Sequence, residues 1–156
     1  MNADERATLT TVADYQFGAG AGAALFPTDE PIDVIRTSSG RPAQIQVPDG
    51  ERIVSYGNDG RFTLGIAGGE RLLAALPEGA YTVVVGDDSE PFVRDGKNVF
   101  AKFVRDVDPA VRPVDEVAVV HEEGDLLAVG RAELPASAML DFKTGMAVKV
   151  REGRTE

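Results

Sequence analysis

The sequence predicts an α+β chain of two units: a small helix-and-antiparallel-sheet unit over residues 9–79, then a small β-barrel over 80–153. Three observations predict it. Apolar residues recur at helical spacing at both ends of the first half. The second half consists mostly of short β-branched runs. Turn signals such as Pro48-Asp49-Gly50, Asn58-Asp59-Gly60 and Glu123-Gly124-Asp125 punctuate both halves.

Residues 1–8 read as a ragged polar terminus. Residues 11–26 read as a helix with Val12, Tyr15 and Phe17 on its apolar side, which Gly18, Gly20 and Gly22 divide into two pieces before Pro27 closes it. Strands are expected at 32–36, 43–47, 52–56 and 62–66. Gly68-Gly69 is expected to open a helix over 70–76, with Leu72, Leu73 and Leu76 facing a core.

In the second half, 81–85 is strand-like and 91–93 is a short extended piece. A longer strand is expected over 98–104. Residues 108–113 read as one helical turn, with Asp108 as N-cap and Pro109 in its first turn. A hairpin of 116–121 and 126–134, a helix over 136–142 and a strand over 145–151 complete the barrel.

Composition narrows the function classes. The 156 residues include 43% hydrophobic side chains, enough for a packed core. There is no cysteine, which removes disulfides, thiolate zinc sites and cysteine nucleophiles together. No apolar run approaches the roughly 20 residues of a membrane span, and Met1–Arg6 is polar and charged, so a cytoplasmic protein is expected. The formal charge is −10, from 26 acidic and 16 basic side chains, which by itself disfavours a polyanion partner. Lysine occurs only at 97, 102, 143 and 149. An acidic, alanine-rich, lysine-poor chain suits a halophilic source, where screening leaves short-range contacts to carry binding.

Several segments resemble a known family. Gly96-Lys97-Asn98-Val99-Phe100-Ala101-Lys102-Phe103-Val104 is similar to the opening strand of a PUA domain. Asp108-Pro109, Arg112–Val117, Leu126–Ala132 and Gly145–Arg151 resemble its later segments in order and spacing. In the first half Ala13–Gly18, Gly20-Ala21-Gly22 and Asp59–Leu64, and then Pro91-Phe92-Val93, resemble the region before the PUA domain of archaeal archaeosine tRNA-guanine transglycosylases. The resemblance covers that family's C-terminal part, without its catalytic barrel, aspartate nucleophile and zinc ligands. It implies a PUA-like barrel and an RNA-binding module. Val114 stands where the family usually places glycine, so that turn is expected to take a different backbone.

Ten of the 16 basic residues lie after residue 80. Alternation would set Asn98, Phe100 and Lys102 on one strand face, and Ala147, Lys149 and Arg151 on another. The resemblance makes these an RNA surface of Lys97, Asn98, Lys102, Arg105, Arg131, Lys149 and Arg151. The cations would contact phosphates, and Asn98 a sugar or base edge. Phe100 is read as barrel core rather than a stacking platform. Gly18, Gly20 and Gly22 lack the G-x-G-x-x-G spacing and read as close packing. His121, the only histidine, lies beside Glu122 and Glu123, a poor ligand set because neighbours on a strand point oppositely. Asp87-Asp88 and Glu122-Glu123 read as solvated turns.

The expected function is non-catalytic binding of structured RNA, most readily tRNA, with no cofactor or metal, serving a separate tRNA-modifying catalytic subunit. The alternative is a protein-interaction subunit that docks to a transglycosylase-like catalytic chain and has little RNA affinity of its own.

Overall fold

The computed structural model describes residues 1–48 and 50–155, so of the predicted turn at 48–50 Asp49 lies outside the described residues. The chain divides into two compact units, Met1–Pro77 and Glu78–Glu156.

Helix α1 spans Ala3–Phe17, so most of the expected ragged terminus is helical. Its start is set locally. The Asn2 Oδ1 accepts from the Glu5 amide at 2.8 Å, and Asp4 and Glu5 occupy the first turn, where carboxylates oppose the positive end of the helix dipole. Arg36 reaches Glu5 with a 2.7 Å ion pair. Gly18, at φ 103°, ends α1, and α2 (Ala21–Leu25) follows. The Asp14 carboxylate accepts from the Gly22 amide at 2.7 Å. Gly22 lies so close to the Thr10 backbone that a Cβ would not fit, so the glycines serve helix packing.

Strands β1 (Asp33–Arg36), β2 (Pro42–Gln46), β3 (Arg52–Tyr56) and β4 (Phe62–Leu64) form an antiparallel meander in chain order. Ile45, Ile53, Val54, Phe62 and Leu64 are buried, as are Leu9, Phe17, Leu25 and Phe26 from the helices. Gln16 clasps Phe62, donating to its carbonyl and accepting from its amide, both at 2.8 Å. Helix α3 (Ile66–Ala75) begins earlier than the glycine pair suggested. Gly68 and Gly69 lie inside it, and Gly68 abuts the Ile53 carbonyl, where any side chain would collide. Tertiary contact, rather than chain termination, accounts for that glycine.

The second unit holds six strands: β5 (Thr82–Val85), β6 (Val99–Phe100), β7 (Val104–Val107), β8 (Glu116–His121), β9 (Leu126–Ala132) and β10 (Met146–Gly153). They lie in the order β6-β10-β9-β8-β5-β7, with β5 and β8 parallel and the other pairs antiparallel. The expected strand over 98–104 is not continuous. The Ala101 amide donates to the Gly145 carbonyl at 2.9 Å, and a 3-10 helix, Ala101–Phe103, carries the chain from β6 to β7. Those strands are the two edges of the sheet. Three residues at about 2 Å rise cannot separate them by more than a strand spacing or two. The sheet is therefore rolled into a nearly closed barrel. Val83, Val85, Val99, Val117, Val119, Leu127 and Val148 fill it, with Met139 from α5 (Ala136–Asp141).

Two other local readings change. Residues Glu90–Arg94 form helix α4 rather than an extended piece, with Pro91 in its first turn and a 2.9 Å Glu90–Arg94 ion pair along it. Residues 108–113 form turns, not a helical turn: Asp108 accepts from the Ala110 and Tyr81 amides at 3.0 and 2.8 Å.

Val114 takes φ 68°, the left-handed region that favours glycine. The expected change of backbone does not occur, because the turn is fixed on both sides. The Val114 amide donates to Ala132, and the Asp115 carboxylate accepts from the Arg112 amide at 2.9 Å. A β-branched residue there carries strain of about 1–2 kcal/mol. Val114→Gly is therefore expected to raise unfolding stability by roughly 1 kcal/mol, read by urea denaturation. An unchanged or lower midpoint would show that Val114, 54% exposed, is not strained.

Candidate nucleic-acid interface

A concavity in the second unit lies between α4 and β6, a cavity of about 410 Å³. Phe92, Phe100 and Phe103 line it, together with Asp88, Ser89, Val93, Lys97, Asn98 and Val99. Its shape follows from a helix stop. At the end of α4 the Gly96 and Lys97 amides donate to the Val93 and Phe92 carbonyls, and Gly96 takes φ 91°. The reversal delivers Lys97 and Asn98 to the wall.

Phe100 is 46% exposed, so its reading as core is overturned. The period-2 pattern of β6 decides this: Val99 and Ala101 turn inward and Phe100 turns out. Phe92 is 61% exposed and Phe103 37% exposed. Three phenyl groups that lie partly in water around one hollow form a platform that a planar ring could stack on. Lys102 stands on the 3-10 helix with Nζ 5.1 Å from the Phe103 ring centroid.

Asn98 is committed in part to the fold. Its Oδ1 accepts from the Val150 amide at 2.9 Å, beside the register shift between Val150 and Glu152. Its amide NH2 group is the part with donors to offer a ligand.

A second hollow, of about 210 Å³, is lined by Arg131, Lys149, Val150 and Arg151. Lys149 stands directly opposite Arg131 across β10 and β9. Like charges at facing positions weaken a sheet, so an anion between them would relieve repulsion. Arg131 is partly neutralised by Glu133 at 3.1 Å, whose hydrogen bond and charge raise the guanidinium pKa. Arg151 makes a bidentate pair with the buried Glu116, at 2.6 and 2.8 Å. Irregularities in β10 break the predicted alternation: Ala147 and Val148 are both buried, while Lys149 and Arg151 are exposed.

Arg105, on β7, lines neither hollow and stands between Asp88, on the wall of the first, at 3.9 Å and Glu122 at 3.8 Å. The seven predicted residues therefore form two groups, Lys97-Asn98-Lys102 and Arg131-Lys149-Arg151, with Arg105 outside both. Among the described residues, Lys97, Lys102 and Lys149 make no ion pair, which leaves their charge available.

Sequence reasoning missed Phe92 and Phe103 as cavity walls, and it missed the partners of His121. His121 Nε2 meets Asp87 Oδ1 at 2.5 Å, and Asp87, Glu90 and His121 offer atoms all within 4.8 Å of one another. The tautomer argues against a metal. The Glu123 amide donates to Nδ1 at 3.1 Å, so Nε2 carries the proton, whereas a metal on Nε2 would need that proton on Nδ1. The Asp87 hydrogen bond raises the imidazole pKa against an opposing burial effect, helped by the charges of Asp87, Glu90 and Glu123.

Comparison with known proteins decides the family. Residues 7–78 match the patch-forming domain C2 of tRNA-guanine transglycosylase, and residues 81–154 match the PUA domain. The chain is a C2 patch-forming domain followed by a PUA domain. It is 44% identical over 149 residues to the tRNA-guanine(15) transglycosylase of Pyrococcus furiosus, and 45% identical over 150 residues to that of Thermococcus kodakarensis. These alignments take in 95% and 96% of the chain but 25% of each relative, so the chain spans about a quarter of their length. Two solved structures share the fold. A hypothetical protein from Pyrococcus horikoshii has a TM-score of 0.75 at 21% identity, over 100% of this chain and 93% of that one. A conserved PUA domain protein from Thermoplasma acidophilum has 0.65 at 20% identity, over 98% and 90%. Both hollows lie in the PUA domain, and no helix among the described residues is long and apolar enough to cross a membrane.

Proposed function

We propose that this chain is a non-catalytic, cytoplasmic RNA-binding module that takes structured RNA, most readily tRNA, and serves a tRNA-modifying enzyme on a separate chain. The observation that carries this is the α4–β6 hollow, where three phenyl rings and an amide stand with Lys97 on the wall and Lys102 close by, two lysines that make no ion pair among the described residues. Unpaired bases would stack on the rings, Lys97 and Lys102 would hold the phosphates nearby, and Asn98 would donate to a sugar or base edge. Arg131, Lys149 and Arg151 would take phosphates further along the backbone, and Arg105 would contribute at the margin. The relatives are named for modifying guanine in tRNA, which supports tRNA as the ligand. The net charge of −10 is read as adaptation to a salt-rich cytoplasm.

Titration with total tRNA across a salt series tests this, with Lys97→Ala/Lys102→Ala alongside. Saturable binding is expected, and the double substitution should lower the salt slope by about two, one for each lost phosphate contact. No binding at any salt where the protein is folded would overturn the reading.

A second reading has its own support. Tyr15, 94% exposed, and Ile35, 48% exposed, are large side chains left open on the C2 domain. Docking of that domain to a transglycosylase-like catalytic chain would cover them. Under it, tRNA binding would be absent from this chain alone and would appear only with the catalytic chain present.

A further inference from the structure

The turn between β5 and α4 supplies Asp88 and Ser89 to the wall of the hollow, and α4 supplies Phe92 and Val93. Within the turn the Ser89 amide donates to the Gly86 carbonyl, and the Val93 amide returns to the Ser89 carbonyl. Asp87, one of the two residues between, is tied to His121 at the end of β8. His121 is itself held. It is 7% exposed, its amide donates to the Asp125 carbonyl, and its Nδ1 accepts from Glu123. A fixed imidazole on the barrel thus holds the turn through Asp87, whose side chain is 92% exposed and whose carboxylate has no other side-chain partner among the described residues.

We propose that His121 is a positioning residue for the ligand hollow: through Asp87 it fixes the 86–89 turn and the start of α4, and it makes ligand binding there stronger at acidic than at alkaline pH. The inference rests on the RNA reading for its ligand, though not for its latch.

Two effects act in the same direction. Protonation adds an ion-pair attraction to the hydrogen bond that Nε2 already makes with the Asp87 carboxylate, which tightens the turn; the added proton goes to Nδ1, which then releases the Glu123 amide. Protonation also adds positive charge to a region that would otherwise repel a polyanion. That region carries Asp87 and Asp88 on the turn, and Glu90 on α4, which is paired with Arg94. Glu122, Glu123 and Asp125 follow on the β8–β9 turn, and Arg105 faces from β7, between Asp88 and Glu122. The sign follows from linkage. The folded imidazole titrates above its unfolded value, so the latch contributes fully below about pH 6.5 and is lost as pH rises through the raised value.

The test uses the full chain and two readouts. In the first, proton NMR follows the His121 ring and the amides of Asp88, Ser89, Glu90 and Phe92 from pH 5 to 9. The amides are expected to titrate with the ring, and Asp87→Asn should lower the ring's pKa and remove the shared transition. Amides that stay still while the ring titrates would overturn the latch, as would a ring pKa unchanged by Asp87→Asn. In the second, fluorescence anisotropy measures end-labelled total tRNA over the same range. Affinity is expected to fall roughly three- to tenfold from pH 6 to pH 8.5, the size of one charge change beside a polyanion, and His121→Gln should flatten the profile. A wild-type profile that is already flat would overturn the coupling. Absence of RNA binding at every pH, with the NMR transition intact, would overturn the RNA reading and leave the latch standing.

Discussion

Replacing Phe100 with alanine is expected to weaken binding of single-stranded RNA by about 1–3 kcal/mol, roughly five- to 150-fold. The ring stands 46% exposed on β6, between the buried Val99 and Ala101, so its removal takes little from the barrel core. Stability should change by less than about 0.5 kcal/mol, as at an ordinary surface site. That separation makes the test sharp. Phe92, 61% exposed on the other wall, should give a similar loss, and the two losses should not add if one base lies between the rings. Anisotropy titration of hexa-adenylate RNA reads the affinity, and urea denaturation reads the fold. Unchanged affinity for both variants would remove the α4–β6 hollow as a stacking site, whatever the lysines contribute.

Arg151→Ala is expected to act in the opposite way, through the fold. Both oxygens of the buried Glu116 accept from Arg151, at 2.6 and 2.8 Å, and Glu116 is 4% exposed. Loss of the guanidinium leaves that carboxylate without its bidentate partner. Breaking a buried pair costs about 3–5 kcal/mol, and the partly exposed Arg151 brings the expectation to about 2–3 kcal/mol. For a unit of this size that lowers Tm by about 8–24 °C. Lys149→Ala, two residues away on the same strand, should leave Tm unchanged and weaken RNA binding, because Lys149 makes no ion pair among the described residues. Calorimetry of both variants separates an arginine that also holds the fold from a lysine that does not. Arg151→Ala with a wild-type Tm would show that the Glu116 pair contributes nothing to the barrel.

This contrast shows how far residue type carries. Lys149 and Arg151 look alike in the sequence, both cationic and two apart on one strand. Their roles diverge because β8 brings Glu116 beneath one of them, and Glu116 lies 35 residues away. Asn98 diverges likewise. Its oxygen closes a register shift in β10, a strand that begins nearly fifty residues later. No local pattern announces such partners. His121 was read against its sequence neighbours Glu122 and Glu123, yet its ring bonds to Asp87, brought near by the parallel pairing of β5 and β8.

Local chemistry determined much of the rest. The meander of β1 to β4, the hairpin of β8 and β9, and the break at Gly18 follow from turn residues and period-2 alternation, which act over a few residues. The family resemblance was legible as well, since it lies in the order and spacing of whole segments and survives single changes such as Val114. Where local preference met a distant constraint, the distant one won. Val114 accepts a left-handed backbone because hydrogen bonds on both sides fix the turn. Residues 98–104 have strand composition but break at Ala101, because the sheet must pass from one edge to the other there. By itself the sequence determined most of the elements, their order and the family, since these follow from propensity and pattern. Only the tertiary structure decided which cations are free, that Phe100 faces water, and that a hollow exists between α4 and β6. Those depend on which side chains meet across the nearly closed barrel.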